Sequence, residues 1–383
     1  MSQDAFIIDH VRTPRARRKG KFQSVHPADL LTYPLNAIVK RNKIQADKIE
    51  DVIMGCVTQT DEQGWCVARA AILAAGWPYT ISGTTVNRLC GSGQQATNFA
   101  AMGIMSGRQN LVVAGGLEHM TRVPMFSDCG GETSPMLKKH YPDLVHQGLS
   151  AEILAAEYKI SRTDLDQFAY ESHMKAKNAQ AAGKFKCSVI PVNYLDDSGA
   201  AATLEADDNI RPDTTVESLS KLKTVFKDDG VITAGNASAI VDGAAAILLA
   251  SESKAKEFGL KPRARIVAMA NIGSDPKIML TGPVEASKMA LKQAGLTSDK
   301  IDFWEINEAF APVPLFTIRG LEIDPAKVNV NGGGISLGHP LGATGAMLIG
   351  TAIDELEHSN KQYALITMCI GLGMGIATIV ERV

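Results

Sequence analysis

The chain repeats itself. Lys48-Ile49-Glu50-Asp51-Val52 resembles Lys300-Ile301-Asp302-Phe303-Trp304, and Leu111-Val112-Val113-Ala114-Gly115 resembles Tyr363-Ala364-Leu365-Ile366-Thr367. The step, from 48 to 300 and from 111 to 363, is 252 positions in both cases. Self-similarity at one fixed offset in two separate places points to a duplicated unit. Between the paired segments of each copy lies a glycine-rich turn that runs into a helix of small residues. In the first copy it is Leu89-Cys90-Gly91-Ser92-Gly93, in the second Gly338-His339-Pro340-Leu341-Gly342. Two copies of one unit bring those turns together.

The repeated unit is α/β. Short runs rich in Val and Ile alternate with longer Ala-rich helical stretches, the pattern of buried strands between helices. Strands are expected at Phe6 to Asp9, Asp51 to Cys56, Asn110 to Gly115, Ala245 to Ala250, Ala264 to Ala270, Phe303 to Ile306 and Ala364 to Met368. Helices are expected at Pro27 to Arg41, Cys90 to Ser106, Thr281 to Ala294 and Thr344 to Glu357. From about His119 to Asp229 the pattern breaks. This stretch is more polar, with a helix over Arg162 to Ala182, and reads as an insertion near the end of the first half or as an ordinary third domain.

A chain of 383 residues has room for two or three packed units. A net charge of −2 gives no reason to expect nucleic acid as a partner, and the scarcity of aromatic residues argues against a base-stacking platform. One local exception is Arg12, Arg15, Arg17, Arg18, Lys19 and Lys21, which reads as a solvated loop or as a guide for a phosphorylated ligand. The six cysteines form no CxxC pair, so neither zinc nor a disulfide framework is expected, and they read as reduced thiols of a cytoplasmic protein, most of them buried. No apolar run is long enough for a membrane span.

Four blocks carry chemistry. Cys90 precedes Gly91-Ser92-Gly93 and a small-residue helix, where the macrodipole favours a thiolate and free amides can hold an oxyanion. A buried structural cysteine is the plainer reading of Cys90 alone. His339 sits in a glycine-rich turn without the Lys-Ser/Thr ending of a phosphate loop. It can serve as a base or simply cap the turn. Asn307-Glu308-Ala309-Phe310 follows a strand at the end where α/β sites form, and Asn307 is equally suited to cap a helix. Cys369-Ile370-Gly371-Leu372-Gly373 fits a tight hairpin rather than a dinucleotide fingerprint, with Cys369 as a thiol acid or base.

Together, in this order, these blocks resemble the thiolase family, and the resemblance spans essentially the whole chain. Val86-Asn87-Arg88-Leu89-Cys90-Gly91-Ser92-Gly93, Asn307 to Ala311, Gly338-His339-Pro340 and Cys369-Ile370-Gly371 look like the family's active-site motifs. Asn236-Ala237-Ser238 with Asp242-Gly243-Ala244-Ala245 looks like its pantetheine-contacting segment. The resemblance implies a five-layer αβαβα sandwich of two duplicated βαβαβαββ halves with an inserted loop domain. The halves would be 1–118 plus 230–262 and 263–383, with 119–229 as the insertion that holds coenzyme A. It also implies thiolytic cleavage of 3-ketoacyl-CoA, as in bacterial fatty-acid β-oxidation, with coenzyme A as a substrate and no bound cofactor or metal.

Carried over, Cys90 is acylated, His339 is its base, and Cys369 exchanges the proton at C2 of acetyl-CoA. Asn307 holds a water that completes one oxyanion hole with His339, while the Cys90 and Gly371 amides form the other. Arg211, Ser218, Ala234 and Ser238 match coenzyme A contacts, and Met279 and Phe310 match residues near the acyl group. A homodimer or homotetramer is implied, as is a place in a β-oxidation complex. Ala239 and Ala311-Pro312-Val313-Pro314 depart from the usual pattern near the acyl tunnel. The alternatives are a short-chain acetoacetyl-CoA thiolase, a ketoacyl-synthase-like condensing enzyme, and a non-catalytic coenzyme A-binding protein.

Overall fold

The structure is a computed structural model that describes residues 3–129 and 133–383. Its strands are β1 (Ala5–Arg12), β2 (Asp51–Gly55), β3 (Ser82–Val86), β4 (Leu111–His119), β5 (Val241–Ser251), β6 (Ala264–Gly273), β7 (Phe303–Ile306), β8 (Tyr363–Ile370) and β9 (Met374–Arg382). They lie side by side in the order β3-β2-β4-β5-β1-β6-β9-β8-β7. The duplication is visible in this order. In the first half β1 runs antiparallel to β5, β5 antiparallel to β4, and β4 parallel to β2. In the second half β6 runs antiparallel to β9, β9 antiparallel to β8, and β8 parallel to β7. The outermost member of the first sheet is β3, parallel to β2. Its counterpart is reduced to one parallel bridge between Val328 and Trp304. The halves meet where β1 and β6 pair at only Phe6 with Arg265 and Ile7 with Ala264.

Helices α1 (Pro27–Arg41), α2 (Val67–Ala74), α3 (Ser92–Met105), α4 (Gln147–Glu157), α5 (Arg162–Ala181), α6 (Gly282–Ala294), α7 (Pro312–Leu321) and α8 (Leu341–His358) complete the framework. Three apolar cores separate the layers. Leu30, Leu31 and Leu35 of α1 pack with Val113 and Leu248 on the outer face of the first sheet. Val284 and Ala290 of α6 pack with Leu365 and Ile379 on the outer face of the second. Between the sheets, Ala96, Ala100 and Ile104 of α3 and Ala343, Ala346 and Ile349 of α8 share one core with Val112 and Ile366. The result is the five-layer αβαβα sandwich that the resemblance implies. Strands β4 and β5 are buried along their whole length, which is why they read as unbroken apolar runs.

Glycines bring the two central helices into backbone contact with each other and with the first sheet. A Cβ on Gly93 of α3 would lie 2.6 Å from the Gly342 carbonyl oxygen of α8, and one on Gly55 of β2 would lie 2.4 Å from the Gly93 nitrogen. A Cβ on Gly116 of β4 would lie 1.9 Å from the Gly342 oxygen. A buried carboxylate fixes the same point. Glu118 accepts hydrogen bonds from the amides of Gly342 (2.9 Å), Val57 (2.9 Å) and Thr58 (3.1 Å) and from the Gln63 side chain (3.1 Å). An anion at the start of α8 is favoured by the helix dipole, and burial raises its pKa against that stabilisation.

All seven expected strands and the expected helices are present, with α3 beginning at Ser92, two residues after Cys90. The edge strand β3, the last strand β9, the two-residue strand Ala16–Arg17 and the separate hairpin of Val192–Leu195 with Ala201–Leu204 are additional. Ser82-Gly83-Thr84-Thr85-Val86 has no buried face to give a period, and the start of β9 is hidden in a glycine run. The basic segment is only partly a solvated loop, and this corrects the sequence reading. Arg12 is buried and makes a bidentate pair with Asp207 at 2.7 Å, and Arg15 is 2% exposed, while Arg18 and Lys19 are exposed. Of the six cysteines, all free, Cys56, Cys90 and Cys369 are buried and Cys129 and Cys187 are exposed, so burial holds for half of them rather than most.

The glycine contact makes a clear prediction. Gly116→Ala should cost about 3 kcal/mol or more in urea unfolding, because backbone atoms cannot rotate away from the new methyl group. Gly273→Ala, with open space at its Cβ, should stay within about 0.5 kcal/mol of the parent. Equal effects at the two sites would contradict the packing argument.

Candidate active site

Cys90 sits in a tight, fully bonded turn ahead of α3. Leu89 adopts a left-handed conformation, φ +45°, which costs a branched residue free energy that its surroundings must repay. They do so with three local hydrogen bonds. The Leu89 amide donates to Asn87 Oδ1 (2.8 Å), the Arg88 amide donates to Ser92 Oγ (2.9 Å), and Ser92 Oγ donates to the Leu89 carbonyl (2.6 Å). Burial pushes the Cys90 thiol up to about 11, against the opposing pull of the Gly371 amide, its own amide and the Gln147 side chain. The sequence reading of a dipole-stabilised thiolate is therefore corrected. Desolvation outweighs the helix end, the resting group is a thiol, and nucleophilic attack needs a base.

His339 is a buried imidazole with the chemistry of a base. Its ring is 3% exposed, and Nδ1 lies 2.6 Å from Thr344 Oγ1. Thr344 donates its single hydroxyl proton to the Pro340 carbonyl at 2.8 Å, so its oxygen can only accept from the histidine. That places the imidazole proton on Nδ1 and leaves the lone pair on Nε2, which faces Asn307 Nδ2 at 3.3 Å. Burial, with a contribution from the Arg15 guanidinium, lowers the His339 pKa to about 3. The ring is neutral at any ordinary pH, with a free lone pair on Nε2.

Asn307 does not cap a helix. β7 ends at Ile306 and α7 begins at Pro312 with Ala311 as its cap residue. Instead, Asn307 is buried beside His339, and its Oδ1 has no partner. The neighbouring Glu308 locks the segment in place by accepting from Ser172 Oγ (2.7 Å) of α5, Asn329 Nδ2 (2.8 Å) and the Ile335 amide (3.1 Å). This clamp, not legible in the sequence, ties α5 to the loops that carry Asn307 and Ile335.

Cys369 lies near the end of β8, ahead of the hairpin that leads into β9, where Leu372 (φ +63°) and Gly373 (φ +78°) make the reversal. It is fully buried, and burial together with the nearby Cys90 pushes its thiol far up. The two sulfurs thus feel each other, and the Gly371 amide faces the first of them.

Cys90 opens into an apolar cavity of about 260 Å³ whose lining includes Leu89, Met125, Phe126, Met279, Gly371 and Leu372. Met279 lines the same cavity as Cys90. Phe310 stands one layer back, edge-on to Phe226 (5.9 Å), which stacks on His146 (5.5 Å) of the cavity wall. A second groove, of about 210 Å³, brings together Arg211, Ser218 and Ala234 with His173 and Asn209. Ser238 is outside the described lining of that groove; its amide donates to the Ala309 carbonyl (2.9 Å) and so ties this segment to the Asn307 motif. Among the described residues no cluster of His, Cys, Asp or Glu could hold a metal ion.

A fold of two duplicated halves with paired thiols, an imidazole and an amide at their junction defines one class of protein. The chain matches the thiolase N-terminal domain over residues 5–253 and the thiolase C-terminal domain over residues 260–382. It belongs to the thiolase family. It is 47% identical over 389 aligned positions to the 3-ketoacyl-CoA thiolase of Klebsiella pneumoniae subsp. pneumoniae, covering 100% of both chains. It is 46% identical to the protein of the same name from Salmonella typhimurium, again over 100% of both. The crystal structure of the Bacillus anthracis acetyl-CoA acetyltransferase is similar with a TM-score of 0.91 at 37% identity, covering 100% of this chain and 99% of that one.

The buried imidazoles predict how stability depends on pH. His339 is held at about 3 and His173 at about 4, both below their ordinary 6.5. The unfolded chain takes up protons near pH 6.5 that the native protein refuses, so stability is complete above that pH and falls as the pH drops toward 3. The urea midpoint should decline between pH 7 and pH 4.5, and less steeply in His339→Gln. An identical slope in the variant would count against a neutral buried imidazole.

Proposed function

We propose that this protein is a 3-ketoacyl-CoA thiolase, cleaving a 3-ketoacyl-CoA with coenzyme A into acetyl-CoA and an acyl-CoA shorter by two carbons. The observation that carries this reading is the pair of buried thiols, Cys90 and Cys369, close enough for the first to push up the pKa of the second, with Gly371 lining the cavity at Cys90. The names of the full-length relatives support it. His339 Nε2 takes the proton of Cys90, and the sulfur attacks the C3 carbonyl. The C2–C3 bond breaks, its electron pair passes into the enolate of acetyl-CoA, and the Cys369 thiol delivers a proton to C2. Coenzyme A then attacks the Cys90 thioester, and its thiol proton returns the sites to their starting state.

Two oxyanions form in each turnover, and two sets of donors are needed. The amides of Cys90 and Gly371 serve one, and His339 with a water held by Asn307 serves the other. Coenzyme A lies along the groove of Arg211, Ser218 and Ala234, with Ser238 beside it, in a loop domain of residues 119–229 inserted between the halves 1–118 plus 230–262 and 263–383. The open edge of β3, flanked by the fully exposed Trp65, supports assembly as a homodimer or homotetramer. No described helix is long and apolar enough to cross a membrane, in keeping with a cytoplasmic enzyme.

The two steps assigned to the two thiols are separable. Cys369→Ala should still acylate Cys90 yet lose deuterium exchange into the methyl group of acetyl-CoA, followed by mass spectrometry. Exchange at the parental rate would remove Cys369 from the mechanism.

The cavity also bears on substrate. Its apolar wall of Met125, Phe126, Met279 and Leu372 favours chains longer than C4, each buried methylene contributing about 0.8 kcal/mol. Pro312 and Pro314 lie in the first turns of α7 and are not among the described lining residues. Thiolysis efficiency should rise from acetoacetyl-CoA to the C8 substrate, read from the loss of 3-ketoacyl-CoA absorbance. Highest efficiency at C4 with a steep fall by C8 would favour a short-chain acetoacetyl-CoA thiolase instead.

A further inference from the structure

One side chain in the cavity has no place in the chemistry described so far. Gln147 is the first residue of α4 and lines the cavity together with Cys90. Its Nε2 is shielded from solvent and has no hydrogen-bond partner. A buried amide donor without an acceptor is costly, and in native structures it calls for an explanation. The Cys90 sulfur lines the same cavity, and the Gln147 side chain holds down its pKa without closing a hydrogen bond to it. A neutral thiol accepts weakly, whereas a thiolate accepts strongly, so this donor is satisfied only when Cys90 has lost its proton.

The residue is held for that purpose. His146, the cap of α4, accepts from the Gly148 amide through Nδ1 (3.1 Å), and its ring is stacked on Phe226 (5.5 Å) and met edge-on by Phe126 (5.7 Å). One turn further on, Ser150 Oγ donates to the Lys277 carbonyl (2.7 Å), two residues before Met279 of the cavity wall. The start of α4 is thus fixed on both sides, which holds the Gln147 amide at the cavity that Cys90 lines.

We propose that Gln147 is a third hydrogen-bond donor to the reacting sulfur, stabilising the Cys90 thiolate both as nucleophile and as leaving group. The amides of Gly371 and Cys90 supply the other two. When coenzyme A attacks the thioester, the bond from the acyl carbon to Cys90 breaks and its electron pair returns to the sulfur, where the Gln147 N–H receives it. The titratable groups around this sulfur are Glu118 and Cys369, with Asp128, Cys129 and His146 in the cavity wall, and His339 is the base proposed above. Among the described residues of the wall, Gln147 alone has a shielded side-chain N–H without a partner.

The inference rests on Cys90 being the nucleophile, and the test separates the two. The full-length enzyme is alkylated with iodoacetamide from pH 6 to pH 10, and the modified cysteine is mapped by mass spectrometry. In Gln147→Met, which keeps length and volume but removes the donor, alkylation of Cys90 at pH 7 should slow about tenfold and its pH midpoint should rise. kcat should fall with little change in KM. Gln147→Glu, which keeps the size and polarity of the side chain, should raise the midpoint further by placing a carboxylate against the sulfur, and it decides the matter if the Met variant does not fold. An unmoved midpoint at Cys90 in the Glu variant would overturn the role of Gln147 and leave the nucleophile intact. Alkylation confined to another cysteine would overturn Cys90 itself.

Discussion

The structure depends on the backbone contact between α3 and α8. No side chain can fit where Gly93, Gly116 and Gly342 meet, so the two helices are pressed together, and against β2 and β4, at their first turns. Each helix is preceded by one reactive side chain, Cys90 in one case and His339 in the other. A duplicated α/β unit has its loops at equivalent ends of its two sheets, and close packing of the central helices turns that equivalence into proximity. The buried Glu118 reinforces the point by tying the first turn of α8 to the loop after β2. The site is therefore a consequence of how two halves pack, and neither half contains it alone.

Burial sets the chemistry of this junction. Removing Cys90, Cys369 and His339 from water penalises every charged form, so the thiols stay protonated and the imidazole stays neutral at rest. This state suits an enzyme that must make and remake a thioester. A free thiolate in a dry cavity would be exposed to alkylation and oxidation, whereas a thiol next to a neutral base ionises only as it attacks. Thr344 contributes by fixing which imidazole nitrogen carries the proton, a detail that follows from a single hydroxyl having a single proton to give.

Much of this was legible in the sequence, for reasons that differ from residue to residue. The repeat predicted two equivalent halves because both copies had to bury the same faces. Cys90, His339 and Cys369 stood out because each lies near a strand or helix end in a glycine-rich setting, and Asn307 because it directly follows a strand. What the sequence did not reveal were interactions between distant positions. Gln147 carries no local signature, and its meaning comes only from facing Cys90 across the cavity. Arg12 and Arg15 looked like a solvated charge run because their buried surroundings, Asp207 for one and the region of Glu305 and Glu308 for the other, come from far along the chain. Phe310 was expected near the acyl group; it meets Phe226 edge-on, and Phe226 stacks on His146 of the cavity wall.

The central claim is that one sulfur, Cys90, carries the acyl group during turnover. It is tested most directly by mixing the enzyme with 3-ketooctanoyl-CoA in the absence of free coenzyme A, quenching in acid and mapping the peptides by mass spectrometry. The account predicts a hexanoyl adduct on the peptide containing Cys90, discharged on adding coenzyme A. An adduct on Cys369 or on any other residue, or none under conditions where acetyl-CoA is released, would contradict it.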